Sequence, residues 1–405
     1  MGWNWVTHLA AHCDLTVITE ESFRDDIAGD PVASDLKSHL RFEYLDIGET
    51  ARKRCWNQGD WRYYPKYREW QWRAYELAHT LIKREEFDLV HHLNMIGYRE
   101  PGYLWKLPLP FVWGPVGGHE QMPWRFIPAL GWQAAPYQIT RNVLNAIQAR
   151  TSIRVRKAAR AAVEVIAATP ANQSALREIH GVESTLIVET GTHAVASSRT
   201  RPPFDGTRPL RVSWCAKFLA SKALPIALRA VALASREIPL ELTIIGNGRE
   251  GVPWRRLGRE LGIDGHCRWV GAVEHEEAQR MIAESDVMLL TSVQEATTTV
   301  VMEALSAGVP VVCHDICGFG AVVDETCGIK IPLVNPKSSV RGFSEALVRL
   351  GRDPDLIALL GRGALNRAAD FTWEQKAETL VQIYRAVLQT PSSPRAYCGQ
   401  GSMRG

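Results

Sequence analysis

The sequence predicts an α/β fold in which parallel sheets carry helices on both faces, arranged as two domains. Short apolar runs alternate with helical patterns along almost the whole chain, which is typical of parallel strands joined by helices. The length of 405 residues suits two domains better than one. A stretch rich in Pro and Gly at 197–208 interrupts both periods, so we expect the interdomain linker there.

The first domain is expected to span residues 1–198. Its short predicted strands, several of them rich in β-branched residues, fall at 14–19, 41–45, 88–91, 110–113, 163–168 and 185–188. A Rossmann-like domain usually begins with a buried strand and a Gly-rich turn before its first helix. Here a helical pattern at 2–11 runs directly into the strand at 14–19. We therefore expect a sheet without its opening strand, either because the reading frame is truncated or because the sheet was built that way.

The second domain is expected to span residues 209–372. A helix is predicted at 222–235, and strands at 210–214, 240–245, 267–270, 287–291 and 309–313. The tail at 391–405 is rich in Ser, Pro, Gly and Arg, and we expect it to be disordered.

Composition and charge exclude several classes of protein. The formal net charge of +3 is small for this length and gives no support to bulk nucleic-acid binding. The 8 cysteines are scattered, and no second pair completes a zinc site with Cys313 and Cys317. Reduced thiols and the lack of a signal-peptide pattern predict a cytoplasmic protein. No apolar run reaches the roughly 18 residues that a membrane span needs.

The stretch 291–312 carries the most specific motif. A predicted strand delivers the chain to a turn at Glu295, and a helix then begins near 297–299 and ends at Gly308, followed by Pro310. Glu303 lies about two turns into that helix. The helix N-terminus between the two carboxylates favours a diphosphate. Each carboxylate accepts paired hydrogen bonds from vicinal hydroxyls, one set on a hexose and one on a ribose.

Two lysines follow the first strand of the second domain. Lys217 and Lys222 stand at the carboxyl end of that strand and before a helix. Two cations in this position would neutralise a diphosphate and assist its departure.

These motifs together resemble the E-x7-E pattern of retaining glycosyltransferase family 4, whose GT-B fold has two Rossmann-like domains facing a central cleft. The likeness covers 2–388 and is strongest over 210–312. It implies that Glu295 contacts the donor sugar and Glu303 the nucleotide ribose. It also implies that the helix at 373–388 crosses back onto the first domain.

The resemblance assigns further donor contacts. The amides of Ala296, Thr297 and Thr298 would touch the sugar or diphosphate. Gly246 lies in the family's strand-end turn, and Val270 lies in a segment whose backbone usually reads the nucleobase. The chain departs from the family where Ala216, Ala223, Ala296 and Thr298 replace Gly or Pro and where Lys217 replaces Arg. A stiffer backbone and the loss of a bidentate donor follow.

The acceptor side is expected in the first domain, where 113–120 follows a strand and resembles one branch of the family. Gly117 and Gly118 would let the backbone approach a substrate. His119 is displaced from the family's usual His, where this chain has Gly114, and is a candidate catalytic residue or a satisfied loop residue. His91 and His92 are second candidates, and the weaker ones are Asn94 and Glu120.

The resemblance implies a metal-independent hexosyl transfer with retention, in which the leaving phosphate helps to deprotonate a glycan or lipid-linked acceptor. The sequence shows no D-x-D pair for a metal, no nucleophile for a double displacement, and no need for a cofactor beyond the nucleotide-sugar. Two alternatives remain open: a degenerate module that only binds the nucleotide-sugar, and a GT-B-type epimerase acting on it.

Peripheral contact with the inner face of a membrane is a further expectation. Cations and aromatic side chains interleave over 52–73, and a second basic cluster occupies 150–160. This mixture suits an anionic lipid surface, although a solvated helix whose aromatic side chains cap the core gives the same pattern.

Overall fold

The computed structural model describes residues 1–55, 62–93, 95–193 and 202–389. Residues 197–201 of the predicted linker, the tail at 391–405, Asn94 and part of the stretch at 52–73 lie outside the described residues. Three parallel sheets are present within the described part: one of two strands, one of four and one of six. The predicted α/β class is confirmed, with the two smaller sheets in the first half of the chain and the largest in the second.

The sheet of the first domain is in two pieces. Strand β1 (Leu15–Glu20) pairs with β2 (Leu40–Leu45), and β3 (Val90–His92), β4 (Phe111–Val116), β5 (Glu164–Ala167) and β6 (Thr185–Leu186) form the other piece in chain order. Among the described residues β1 and β3 do not pair. Leu15, Leu89 and Leu93 nevertheless pack against one buried cluster, so the two pieces share a core.

The helices of the first domain cover these sheets. They are α1 (Gly2–Leu9), α2 (Arg24–Gly29), α3 (Pro31–Asp35), α4 (Glu49–Cys55), α5 (Tyr63–Leu81), α6 (Gly131–Thr151), α7 (Ile153–Ala161) and α8 (Pro170–Ala175). Strand β4 is buried along its whole length, and β5 approaches it so closely that a Cβ on Gly114 would lie 2.3 Å from the Ile166 carbonyl oxygen. A larger residue at Gly114 is therefore excluded.

The second domain is built on a six-stranded sheet. Its strands are β7 (Leu210–Cys215), β8 (Leu240–Ile245), β9 (Cys267–Gly271), β10 (Val287–Leu290), β11 (Val311–His314) and β12 (Gly328–Ile331), in the order β12-β11-β10-β7-β8-β9. The order reverses between β7 and β10, and open α/β sheets bind ligands outside the carboxyl ends of the strands at such a point. The sequence did not predict β12, whose run of four residues includes Gly328 and a charged Lys330.

The helices of the second domain lie on both faces of this sheet. They are α9 (Leu224–Ala234), α10 (Gly251–Glu260), α11 (His275–Ala283), α12 (Thr299–Ser306), α13 (Cys317–Val322), α14 (Pro336–Arg352), α15 (Pro354–Ala369) and α16 (Trp373–Gln389). Two clusters of buried apolar side chains, one on each face, form its core. No helix within the described ranges combines the length and hydropathy that crossing a bilayer would require.

The last helix, α16, leaves the second domain and packs on the first. Trp373 meets Trp5 of α1 edge to face with 5.5 Å between ring centroids, and its neighbours in the same cluster include Val112 of β4. At the base of this contact the Thr192 N–H donates to the Phe371 carbonyl, and the Trp373 N–H donates to the Thr192 carbonyl. The two places where the chain passes between domains are thus held side by side.

The aromatic side chains at 63–70 belong to the interior and do not form a surface for lipid. Tyr63, Tyr67 and Trp70 are buried and stack on one another along α5. Arg68 is paired with Glu100, and Arg52 with Glu20. For Tyr63, Tyr67 and Trp70 the second interpretation of the pattern, aromatic side chains that cap the core, agrees with the structure, whereas Trp72 is 40% exposed.

Candidate functional site

The candidate site lies where the loops after β7, β8 and β10 meet the first domain. The loop after β10 (291–298) rests on the loop after β7: the Val293 N–H donates to the Ser221 carbonyl, and the Thr291 hydroxyl to the Lys222 carbonyl. The Trp214 indole donates to the same Thr291 hydroxyl at 3.0 Å. These bonds fix the positions of the two loops that carry the predicted charged residues.

Lys222 and Glu295 form an ion pair in this loop pair. The side chains are 15% and 23% exposed, so both are largely withdrawn from water yet reachable from the cleft. Burial lowers the pKa of the Lys222 ammonium from its ordinary value of 10.5 to about 8. The structure thus brings together the predicted phosphate-binding cation and the predicted sugar-binding carboxylate.

Lys217 is placed differently from Lys222. Its side chain is exposed, whereas Phe218, the next residue, is buried. Lys217 is close enough to Lys222 to lower the pKa of that ammonium by charge repulsion. An anion bound between the two lysines would relieve this repulsion. Two neighbouring cations of this kind therefore suit a diphosphate.

The backbone around Lys222 takes a conformation that the sequence did not predict. Residues 220–222 form a 3-10 turn, and Ala223 follows with a φ of 50°, in the left-handed region. The family's Gly at this place is compatible with that angle, but an Ala there is strained. Helix α9 therefore begins at Leu224 and not at 222.

The amide predicted to touch the donor is occupied by a carboxylate. Glu189, which follows β6 in the first domain, accepts the Thr297 N–H through Oε1 at 2.5 Å. This amide stands two residues before α12 (Thr299–Ser306), so the helix N-terminus binds an anion here as its dipole favours. Ala296 and Thr298 flank it, and the Ala296 carbonyl accepts the Gly318 N–H.

Glu189 is a functional candidate that the sequence analysis missed. Its side chain is 1% exposed, burial raises its pKa, and Oε2 has no hydrogen-bond partner. Lys376 lies near enough to act on it electrostatically, and burial lowers the pKa of that ammonium to about 8. No motif marks these residues, because Glu189 and Lys376 are far apart in sequence and meet only when α16 crosses back.

Glu303 lies on α12 with its carboxylate 3.8 Å from the His275 imidazole. Its side chain is 13% exposed, and burial raises its pKa. Charge repulsion from Glu303 helps burial to raise the pKa of the Cys215 thiol, so the carboxylate lies near the end of β7.

Two glycines after β8 pack directly on the Lys217 loop. A Cβ on Gly246 would lie 2.0 Å from the Ala216 carbonyl oxygen, and one on Gly248 would lie 2.7 Å from the Phe218 carbonyl oxygen. The Gly246 N–H donates to the Gly271 carbonyl at the end of β9, beside half-buried Val270. The predicted turn and base-reading segment are therefore neighbours.

On the first-domain side, His119 sits in a polar network. It stacks on Tyr98 with 3.9 Å between ring centroids, and the Asn172 side-chain oxygen accepts from both its N–H and its Nδ1. The bond at Nδ1 leaves Nε2 as an unprotonated acceptor, which is buried and has no partner. Burial lowers the pKa of His119 to about 4, so the ring is neutral at physiological pH.

Glu120 is the hub of the same network and links it to the second domain. Its carboxylate accepts from Thr169, Asn172 and the Gly118 N–H, and its carbonyl accepts from the Gln294 side chain at 2.8 Å. Gln294 immediately precedes Glu295. The loop of the first domain and the donor loop are thus in direct contact.

The other predicted acceptor residues are less accessible. The backbone of Gly117 and Gly118 is used by the adjoining loop, since the Gly117 N–H donates to the Ile96 carbonyl. His92 is 3% exposed and packs beneath Gly102, and burial lowers its pKa to about 4. The structure therefore argues against His92 as a cleft residue.

His91 has a structural place. Its Nδ1 lies 2.6 Å from the Tyr384 hydroxyl and its Nε2 lies 2.7 Å from the Gly114 carbonyl, which joins β3 to α16 and β4. Over the part of the chain that the structure describes, no group of three or more His, Cys, Asp or Glu residues is arranged to hold a metal ion.

This architecture defines the class: a GT-B protein, in which two Rossmann-like domains face a cleft. Two solved structures share the fold. They are a sucrose-phosphate synthase from Thermosynechococcus elongatus (TM-score 0.64, 20% identity, 95% of this chain and 92% of the other) and HepE from Anabaena, solved in complex with UDP (TM-score 0.61, 15% identity, 95% of each).

The sequence comparisons confirm the resemblance to glycosyltransferase family 4. Residues 209–353 match the sequence model of a family described as glycosyl transferases group 1. D-inositol 3-phosphate glycosyltransferases are similar: that of Saccharomonospora viridis is 28% identical over 49% of this chain and 47% of its own length. That of Kribbella flavida is 30% identical over 36% of this chain and 34% of its own length. The matches span about half, or less, of these relatives.

Proposed function

We propose that this protein is a glycosyltransferase that uses a nucleotide-diphospho-sugar as donor. The observation that carries the proposal is the ion pair of Lys222 and Glu295 at the switch point of the six-stranded sheet. It lies beside a helix N-terminus whose Thr297 amide binds a carboxylate. Cation, sugar-binding carboxylate and anion-binding amide are the groups that such a donor needs.

Each residue has a role in this proposal. Glu303 accepts hydrogen bonds from the ribose hydroxyls, and the main chain near Val270 meets the base. Lys222 and Lys217 hold the diphosphate and stabilise its developing charge as the sugar leaves. Glu295 turns from Lys222 to the hydroxyls of a hexose. The neutral Nε2 of His119 is the group on the first-domain side that can accept a hydrogen bond from the acceptor hydroxyl and orient it.

The reaction proceeds with retention and without a metal. The acceptor oxygen forms a bond to the anomeric carbon on the face from which the diphosphate departs. The bond from that carbon to the phosphate oxygen breaks, and the acceptor proton passes to the leaving diphosphate. The two lysines supply the positive charge that a metal ion provides in other enzymes of this chemistry. The proposed acceptor is a glycan or a lipid-linked sugar.

The test is a comparison of nucleoside diphosphates and then of nucleotide-sugars. UDP, GDP and ADP are first compared by their effect on the melting temperature, with UDP as the first candidate because HepE was solved with it. The sugar is then varied on the preferred base, and release of the nucleoside diphosphate is followed by chromatography. Binding without release favours the binding-module alternative, and a change of sugar configuration on the intact nucleotide favours the epimerase. Absence of binding by all three nucleotides contradicts the proposal.

A further inference from the structure

Helix α6 (Gly131–Thr151) turns an apolar face to solvent. Tyr137, Val143, Leu144 and Ile147 are exposed, with Tyr137 at 64% and Leu144 at 59%. At 100° per residue these four side chains lie on one side of the helix. The opposite side, which packs on the protein, carries Gln138, Asn142 and Ala149 and is narrow. The usual polarity of a surface helix is therefore reversed in α6.

Neighbouring elements extend this surface. Trp124, in the 3-10 turn before α6, is 55% exposed, and Ile153, at the start of α7 (Ile153–Ala161), is 66% exposed. Exposed apolar side chains that stand alone are common, but several on one side of a helix, with more in the adjoining elements, are typical of a binding surface. We call the group formed by Trp124, Tyr137, Val143, Leu144, Ile147 and Ile153 the α6 face.

The stretch of chain that contains α6 carries charge of one sign. Between Glu120 and Glu164 the sequence contains no Asp or Glu. The cations of that stretch are Arg125, Arg141, Arg150, Arg154, Arg156, Lys157 and Arg160. Arg154 is neutralised by Glu100, whereas Arg125, Arg150 and Lys157 are exposed. Glu178 is the acidic side chain that faces Arg150 and Arg156, across a surface cleft.

We propose that the α6 face docks on an anionic lipid surface. Apolar and aromatic side chains surrounded by cations, with no acid in the same stretch, match the boundary between headgroups and acyl chains of a bilayer rich in anionic lipid. A protein partner would require acidic residues spaced to meet particular arginines. A bilayer requires only the summed charge and an apolar helix lying in its plane.

Docking would place the cleft at the bilayer. The Arg141 guanidinium on α6 lies 3.3 Å from the Gln294 side-chain oxygen, and Gln294 precedes Glu295 in the donor loop. A helix lying in the headgroup layer would therefore hold the donor loop near it. This inference is independent of glycosyl transfer itself, because none of the six residues of the α6 face is assigned to the donor.

The experiment is flotation with vesicles. The full chain is mixed with vesicles of phosphatidylcholine alone, or of phosphatidylcholine and phosphatidylglycerol in equal parts, and the bound fraction is measured. We expect binding to the anionic vesicles only, and weaker binding as salt is added. The variant L144Q/I147Q should bind about tenfold less or weaker still, because two apolar anchors are lost. The variant R150Q/K157Q should show a loss of similar order.

The matched control is V252Q/L359Q, which replaces two exposed apolar residues of the second domain, at 80% and 56% exposure. It should bind vesicles as the unaltered chain does. Nucleotide binding should be unchanged in all three variants, which shows that they fold and separates this test from that of the proposed function. Failure of the unaltered chain to float, or equal flotation of L144Q/I147Q, overturns the proposal. So does a dimer in sedimentation that L144Q/I147Q converts to monomer, because a second copy would then cover the α6 face.

Discussion

At the scale of single residues, the charged groups of the donor loops differ in how strongly the fold constrains them. Lys222 is mostly buried and paired, whereas Lys217 on the same loop is exposed. Glu295 stands in the loop and Glu303 is fixed on a helix. Types and order of these residues were predictable from sequence, because the motif is local. The ion pair itself was not, since it joins two loops some seventy residues apart and depends on sheet order.

The two glutamates should separate binding from turnover. Glu303→Ala is expected to weaken binding of the free nucleoside diphosphate about tenfold or more, because the ribose loses a charge-assisted acceptor. Glu295→Ala should bind it almost normally and lose turnover. Calorimetry with the nucleoside diphosphate and a rate assay with the nucleotide-sugar measure the two effects. Glu260→Ala, on the exposed side of α10, is the control. Equal losses of affinity in both variants would contradict the assignment.

The lysines should act on the rate and give it a pH dependence. Lys217→Ala and Lys222→Ala are each expected to lower kcat roughly a hundredfold, as loss of one charged donor typically does. The Lys222 pKa of about 8 means that its ammonium is charged below that pH and neutral above it. In the free enzyme kcat/KM should therefore fall as the pH rises through about 8.

A pH-rate series on Lys222→Arg provides the check, since guanidinium stays charged throughout. The decline near pH 8 should disappear in that variant even if its rate is lower. A decline that persists there would assign the titration to another group.

At the scale of elements, the strands could be predicted from apolar runs in the sequence, but the turns and loop contacts between them could not. Strands β7 to β10 were predicted to within one residue and β11 to within two, because buried parallel strands are continuous apolar runs. Helix α9 was predicted to begin at Lys222 and begins at Leu224, since helical propensity does not register the left-handed Ala223. Glu189 was missed because its hydrogen-bond partner Thr297 comes from another loop, and the Lys376 ammonium on which its charge acts comes from another helix. Such contacts are properties of tertiary packing.

The strained turn before α9 predicts a stabilising substitution. Ala223→Gly removes the clash of a Cβ in the left-handed region, which stabilises the folded state by about 1–2 kcal/mol. The glycine also raises the entropy of the unfolded chain, which destabilises the folded state by about 0.4–1 kcal/mol. We expect a net gain of about 0.5–1 kcal/mol in the free energy of unfolding, measured by urea denaturation. Ala227→Gly, inside α9 and fully buried, should instead lose about 1 kcal/mol or more. A loss at Ala223 as well would show that the turn is not strained.

The contact between Glu189 and α12 predicts a change in pH-dependent stability. The pKa of Glu189 is raised by burial, so its stabilising contribution is present below the unfolded pKa and is lost as the pH rises through the folded value. Glu189→Gln keeps an oxygen for the Thr297 N–H and carries no charge. This variant should melt at the same or a higher temperature at pH 7, and its advantage should vanish near pH 4.

Glu189→Ala serves as the comparison, because it leaves the Thr297 amide without its partner and should melt lower than the unaltered chain at both values of pH. Thermal melts at pH 4 and 7 decide the point. A Gln variant that melts well below the unaltered chain at pH 7 would mean that the charged carboxylate is required, paired with Lys376.

At the scale of the whole molecule, the two domains are joined at one side of the cleft. Residue 192 belongs to the first domain and residue 204 to the second, and the chain returns to the first domain at 370–373. Thr192 pairs with residues 371–373 through the backbone, and a Cβ on Gly191 would lie 2.9 Å from the Trp373 ring. Two further contacts join the domains: Glu189 accepts the Thr297 N–H, and the Glu120 carbonyl accepts the Gln294 side-chain amide. The backbone pairing of Thr192 with residues 371–373 is therefore the hinge, and the two side-chain contacts hold the domains together elsewhere.

The hinge predicts that stability and nucleotide binding can be uncoupled by one substitution. Trp373 is 3% exposed and packs on Trp5. Trp373→Ala should lower the free energy of unfolding by roughly 3–5 kcal/mol, as removal of a buried aromatic ring does. The nucleotide-binding loops belong to the second domain, so affinity for the nucleoside diphosphate should change less than threefold. Turnover should fall, because it needs the first domain held against the donor loop.

Trp254→Ala is the matched control: that side chain is 5% exposed and packs on Phe218 beneath the Lys217 loop. Its loss should cost similar stability and also weaken nucleotide binding. Urea denaturation and calorimetry at a temperature where both variants remain folded make the comparison, and equal loss of affinity in the two would refute the separation of hinge from binding site.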